Sequence, residues 1–299
     1  MGSPGFALPI LSRLIEQYQI VGVVTQPDRP AGRGRILTPP PVKELALSNN
    51  IPCIQPIKLR DPDAIATLYK WHPELIVVAA FGQILRQPVL DLPHFGCINV
   101  HASLLPRWRG SAPIQAAILN GDPQTGISIM EMDTGVDTGP ILAQSTLDIL
   151  PEETAESLSE RLSLLGAQLL IEVLPGYLEG KVHPSSQVEE FATLAPLLVK
   201  EDGRLNFSCS SQSLINRIRA FYPWPGAFME WQGKTLKIHR AHAISGQRMI
   251  PGIRGVQHGL PSVQTLDGLL ILDEVQPAAK KSMSGDVFLR GAIHWNQTG

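Results

Sequence analysis

Apolar residues follow two textures along this chain. Over the first 180 positions, short apolar runs ("QIVGVVTQ", "IPCIQ", "ELIVVAAFG", "GCINVH", "TGISIMEMD") take turns with stretches whose apolar positions recur at helical spacing ("PVKELALSNN", "DAIATLYKWH"). Buried runs alternating with amphipathic helices predict a parallel sheet wrapped by helices, and the uninterrupted "LIVVAAF" predicts a strand covered on both faces. "EETAESLSERLSLLGAQLLIEVLPGYLEG" keeps the helical period, has acids in its first turn and Pro-Gly near its end, and predicts a long helix closing this region. Beyond "KVHPSSQVEE" the pattern becomes short strands with Gly-bearing turns ("FMEWQGKTLKIHRAHAI", "GIRGVQHG", "PSVQTLDGLLILDEV"), which predicts a small β-barrel. The expected organisation is a doubly wound, Rossmann-like parallel α/β domain over 1–181, a linker over 182–204, and a smaller OB-like β-barrel domain over 205–299.

Ligands of doubly wound sheets bind beyond the carboxyl ends of the strands. Three loops that follow apolar strands are therefore expected to converge: Ala80 to Leu85, His101 to Gly110, and Met132 to Pro140. In an extended strand, side chains two residues apart share a face, so Asn99 and His101 stand side by side while Ile98 and Val100 face the opposite layer. With a carboxylate from Asp133 or Asp137, these two make an oxyanion site. The amide N–H and a protonated imidazole donate to an oxygen gaining charge, and the carboxylate holds the imidazolium or relays a proton. No Ser or Cys occupies a sharp strand-to-helix turn, and no His pair has metal-ligand spacing. Direct acyl transfer, with the substrate bringing its own nucleophile and no metal required, fits this set. "AGRGRI" contains a G-x-G, but the third Gly is missing and "TPPPV" follows, so no helix N-terminus is available to a pyrophosphate.

Composition narrows the setting. The chain has 299 residues, 43% of them hydrophobic, enough to bury one large or two ordinary cores. It carries neither a long uncharged apolar run nor a secretory signal pattern, and its three cysteines (Cys53, Cys97, Cys209) are scattered. The expected location is the cytoplasm, with an organellar matrix or stroma left open. Charge is unevenly spread. Residues 1–180 hold 12 Lys and Arg against 18 Asp and Glu, whereas 181–299 hold 13 against 9. From Trp231 to Thr265 there are five basic residues (Lys234, Lys237, Arg240, Arg248, Arg254) and no acid. "PDRPAGRGRILTPPP" is a Pro- and Gly-rich loop with Arg29, Arg33 and Arg35. Both segments fit contact with nucleic-acid phosphates as well as they fit a solvated surface.

"INVHASLLPRWRGSAPIQAAILNGD" resembles the motif of the folate-dependent formyltransferases, and "MDTGVDTG" resembles the segment that carries their Asp. "TQPDRPAGRGR", "RAFYPWPGAF" and "VQPAAKKSMSG" are similar to segments of the branch that acts on initiator methionyl-tRNA. The resemblance implies transfer of a formyl group from 10-formyltetrahydrofolate to the α-amine of methionine on initiator tRNA, a one-carbon step in translation initiation, without a metal or an obligate protein partner. It implies Asn99, His101 and Asp137 as the catalytic trio. Ser103, Leu104, Leu105 and Pro106, with Phe81, Gly82 and Ile84, are implied for the folate, and Arg29, Arg33, Arg35, Lys234, Lys237 and Arg240 for the tRNA. The rival reading is a formyltransferase of the same superfamily acting on a small amine, such as glycinamide ribonucleotide or an amino sugar nucleotide. One departure concerns the N-terminus, "MGSPGFALP". Met1 stands where the family's first strand ends, so that strand is expected to be missing and the natural chain to begin roughly six to eight residues upstream, one strand's length.

Overall fold

The computed structural model describes residues 1–31, 34, 36–246 and 250–296. The described chain runs α1 (Ala7–Gln17), β1 (Val23–Val24), β2 (Arg29–Ala31), β3 (Ile36–Thr38), α2 (Pro41–Ser48), β4 (Cys53–Ile54), α3 (Pro62–Trp71), β5 (Ile76–Val78), α4 (Gln87–Leu90) and β6 (Cys97–His101). It continues through β7 (Arg109–Gly110), α5 (Pro113–Asn120), β8 (Gln124–Glu131), β9 (Ile141–Asp148), α6 (Ala155–Leu178) and β10 (Leu194–Ala195). Then follow α7 (Ser211–Ala220), β11 (Ala227–Trp231), β12 (Lys234–Ser245), β13 (Arg254–Gln257), β14 (Leu260–Gln264), β15 (Gly268–Pro277), β16 (Met283–Ser284) and α8 (Gly285–Gly291). Contacts divide the chain into two compact units. One comprises Met1–Pro113, Gln124–Asp148 and Ser159–Ala195, and the other Ile114–Pro123, Ile149–Leu158 and Pro196–Gly299.

The first unit is the α/β one. β1 pairs with β4, and β5 with β6, both parallel as expected from the alternating pattern. Between β1 and β5 lie residues 1–2. The Met1 amine donates to the Val77 carbonyl at 2.6 Å, the Ala79 N–H to the Met1 carbonyl at 2.9 Å, and the Gly2 N–H to the Val24 carbonyl at 3.1 Å. Prolines start α2 and α3, where a missing N–H costs nothing. The core under β1 and β5 gathers Val24, Leu68, Ile76, Val78, Phe81 and Leu85.

Beyond β6 the sheet changes direction. β8 pairs antiparallel with β6, and β9 antiparallel with β8. The loop after β8 therefore leaves from the far end of β6, where the Met132 N–H donates to the Cys97 carbonyl at 2.8 Å. It does not begin beside the loops after β5 and β6, contrary to the expectation that all three start at one end. β8 is buried from Thr125 to Met130, so its sequence carries no two-residue alternation that would distinguish an antiparallel strand from a parallel one. Residues 182–204, expected as a linker, contain β10, which pairs parallel with β7.

The second unit holds a six-stranded antiparallel sheet in the order β11-β12-β15-β14-β13, with β16 on β15. Its core includes Leu214, Leu236, Ile238, Leu270, Leu272 and Val275. Trp295, Phe288 and Trp231 close one side with ring centroids 5.1 and 5.5 Å apart, and the Trp295 indole N–H donates to the Gly255 carbonyl at 2.7 Å. Along β12, Leu236 and Ile238 point into this core while Lys234 and Lys237 are exposed. No helix among the described residues is long and apolar enough to cross a membrane.

Candidate active site

β6 sets the site. Ile98 and Val100 are fully buried on one face, which turns Asn99 and His101 to the other. The Asn99 side-chain amide donates to Asp137 Oδ1 at 3.2 Å. His101, 5% exposed, has Nδ1 3.6 Å from Asp137 Oδ2 and Nε2 3.0 Å from the Trp108 carbonyl. A carbonyl only accepts, so Nε2 carries a proton and Nδ1 is the ring atom that faces the carboxylate. The Gly110 N–H donates to Asp137 Oδ2 at 2.9 Å. Asn99, His101 and Asp137 are thus brought within reach of one another although Asp137 lies 38 positions beyond Asn99.

The two aspartates of the 132–140 loop are separated by their partners. Asp133 is exposed and spends its carboxylate inside the loop, accepting from the Gly135 N–H at 2.9 Å and the Thr138 hydroxyl at 2.7 Å. Asp137 is half-buried and faces β6 from a left-handed backbone, φ +52°. That region is uncommon for any residue but Gly, with Asp and Asn adopting it more readily than most. Gln187 bonds this backbone, its amide donating to the Asp137 carbonyl at 2.8 Å and the Gly139 carbonyl at 2.7 Å.

The segment expected for the folate is fixed by groups that local sequence did not flag. Ser128 on β8 accepts the Leu105 N–H at 3.0 Å and donates to the Ser103 carbonyl at 2.7 Å, while Gln144 on β9 donates to the Leu105 carbonyl at 2.9 Å. Ser103 and Leu105 are buried, so Leu104 and Pro106 are the partly accessible side chains of the four. Phe81 packs into the core and its carbonyl accepts from Gln26 at 3.0 Å. Gly82 is exposed with φ +74°, and Ile84 is an uncovered apolar side chain, 77% exposed. A cleft of about 790 Å³ runs along Gln87, Leu90, Glu131, Met132, Asp133 and Tyr177, and none of the seven folate candidates lines it.

Of the basic candidates, Arg29 lies in the β2–β3 hairpin and is exposed, donating to the Gln26 side chain at 3.2 Å. Arg33 and Arg35 lie outside the described residues, as does Arg248. Lys234, Lys237 and Arg240 are exposed on β12. The hairpin's root is tied by Asp28, whose carboxyl is held below its ordinary range by hydrogen bonds from Lys43 and Gln55.

Cys97, at the start of β6, is buried and its thiol is pushed up to about 12 by desolvation. A thiol so protonated is no nucleophile at neutral pH. Alkylation of the native protein at pH 8 is expected to leave Cys97 unmodified, with labelling in denaturant as the positive control.

Residues 2–174 match the family model described as formyl transferase, and residues 197–292 match the model of the formyl transferase C-terminal domain. The chain is 47% identical, over 97% of its length and 93% of the relative's, to methionyl-tRNA formyltransferase of Myxococcus xanthus. It is 46% identical, over 97% of its length and 95% of the relative's, to that of Chloroflexus aurantiacus. Among solved structures it resembles WlaRD, described as a sugar 3N-formyl transferase in the presence of dTDP and 5-N-formyl-THF. There the TM-score is 0.68 at 18% identity, covering 94% of this chain and 97% of that one, a likeness of fold. With both of the family's domains matched in order and relatives this similar over nearly its whole length, the chain belongs to the formyl transferase family.

Proposed function

We propose that this enzyme transfers the formyl group of 10-formyltetrahydrofolate to the α-amino group of methionine on initiator tRNA, in the cytoplasm of a bacterium. The observation that carries the reading is the convergence of Asn99, His101 and Asp137 on one small volume, in a chain 47% identical to a methionyl-tRNA formyltransferase. The folate, when bound, supplies the formyl carbon. Leu104, Pro106 and the uncovered Ile84 offer it apolar contact, while the backbone of 103–106 is held still by Ser128 and Gln144.

The attacking α-amine titrates near neutrality and needs little activation. The chain's task is to steady the oxygen that gains charge and to move one proton. One Asn99 amide proton is given to Asp137, which leaves the second for that oxygen. His101 Nε2–H is committed to the Trp108 carbonyl, so Nδ1 is its working atom. Nδ1 and the Asp137 carboxylate together take the proton the amine loses as the new C–N bond forms, and return one to the folate nitrogen as the old C–N bond breaks. Asp137 keeps the imidazolium paired in between.

Exposed cations on two separate parts of the chain serve the tRNA phosphates, which a small-amine substrate would not need. Arg33→Ala is expected to raise KM for charged tRNA while leaving KM for folate unchanged. Replacing Lys234, Lys237 and Arg240 together by Ala should raise the tRNA KM and flatten its dependence on salt, because fewer phosphates are neutralised. The deciding assay gives the purified protein 10-formyltetrahydrofolate with charged initiator tRNA, charged elongator tRNA or glycinamide ribonucleotide. Formylation of glycinamide ribonucleotide in preference to initiator tRNA would overturn the reading.

A further inference from the structure

Residues 185–195 carry no catalytic side chain, yet they bind both partners of His101. The Thr193 hydroxyl accepts the Trp108 N–H at 2.9 Å, its N–H donates to the Pro106 carbonyl at 3.2 Å, and its carbonyl accepts the Arg109 N–H at 2.9 Å. These bonds fix the peptide whose carbonyl receives His101 Nε2–H. Ala195 extends the hold by accepting the Ser111 N–H at 2.9 Å. Gln187 does the same for the other partner. Its amide donates to the carbonyls of Asp137 and Gly139, and its Oε1 accepts from Arg109 Nε at 3.0 Å. Arg109, only 4% exposed, is held in turn by both oxygens of Glu189, at 3.0 and 2.9 Å. Every polar atom of the Gln187 side chain is thereby used, and two of its three bonds end on the loop that holds Asp137 in a left-handed conformation.

We propose that Gln187 is a positioning residue of the reaction: by holding the backbone at Asp137 and Gly139 it aims the Asp137 carboxylate at Asn99 and His101. The inference rests on the role given to Asp137 above. A carboxylate displaced by a fraction of an ångström still binds substrates but no longer matches the changing charge, so the loss falls on kcat.

Two variants separate aim from simple stapling. Gln187→Glu is isosteric and keeps the acceptor for Arg109, strengthening it with a charge, but turns an oxygen toward two carbonyls. Gln187→Leu removes the bonds to Arg109 and to the loop together. The expected result for Q187E is a melting temperature close to the parent's, kcat lower by ~10- to 10²-fold, and unchanged KM for 10-formyltetrahydrofolate and charged tRNA. Q187L should lose as much kcat with a lower melting temperature. Parent-like turnover in folded Q187E overturns the proposal. If Q187E does not fold, Q187L decides: a normal single-turnover rate in its folded fraction also overturns it. Asp137→Asn, measured alongside, keeps the two ideas apart. If D137N is dead and Q187E is normal, only the role of Gln187 falls; if D137N is near normal, the reading of Asp137 falls first.

Discussion

Asn99→Ala, His101→Ala and Asp137→Asn are each expected to lower kcat at least ~10²-fold, the scale on which enzymes lose a single oxyanion donor or acid-base group. Folding should survive. Asn99 and His101 stand on the face of β6 opposite buried Ile98 and Val100, and Asp137 lies on a loop, so none of the three fills a core. Asp137→Asn is the sharpest of the set. The carboxylate accepts from two donors, the Asn99 amide and the Gly110 N–H, and also faces His101 Nδ1. An amide in its place presents one acceptor oxygen and one donor nitrogen, so it satisfies one of the two N–H groups and opposes the other. The side chain keeps its size and loses both its charge and its proton-accepting capacity. Steady-state turnover with both substrates saturating, beside a thermal melt, measures this; near-normal kcat in folded D137N would remove Asp137 from the mechanism.

Gly110→Ala is expected to damage stability and turnover together. Gly110 has φ +118°, and a Cβ built there would lie 2.6 Å from the Ala195 carbonyl oxygen, a backbone atom that cannot swing aside. The unfavourable φ costs ~1–3 kcal/mol and forced overpacking costs a similar amount. The cheapest relief is to separate β7 from β10, which withdraws the Gly110 N–H from Asp137 and frees the Trp108 peptide. Lower melting temperature and a kcat loss of at least ~10²-fold should therefore appear together. Gly82→Ala is the contrast. Its φ is +74°, but the nearest atom to an added Cβ is the Gln26 amide nitrogen at 3.9 Å, so the backbone term acts alone. A G110A enzyme as active and as stable as G82A would show that the β7–β10 contact does not govern the site.

Much of the molecule is legible in its sequence. The 3.6-residue spacing of α2, α3 and α6, the apolar runs of β5 and β6, and the shift to successive strands late in the chain follow from local burial demands that sequence expresses directly, although β12 and β15, at 12 and 10 residues, are longer than the short strands expected there. The pairing of Asn99 with His101 was readable for the same reason, since the two-residue period of a strand is a local property. The direction of β8 was not readable. A strand buried on both faces shows no alternation, so nothing in "TGISIME" says which way it runs, and that direction decides where the 132–140 loop starts. Nor was the choice between Asp133 and Asp137 a matter of residue type. It is made by partners: Gly135 and Thr138 for one, Asn99 and Gly110 for the other. Gln187, Thr193 and Arg109 belong to the same class. A glutamine among exposed residues after "KVHPSS" looks like part of a connector, and only its distance of 2.8 Å from the Asp137 carbonyl, across 50 positions of sequence, gives it a task. Hydrogen bonds between segments far apart in the chain depend on where the backbone has already been placed, so local pattern announces the elements while tertiary packing alone decides which polar groups meet.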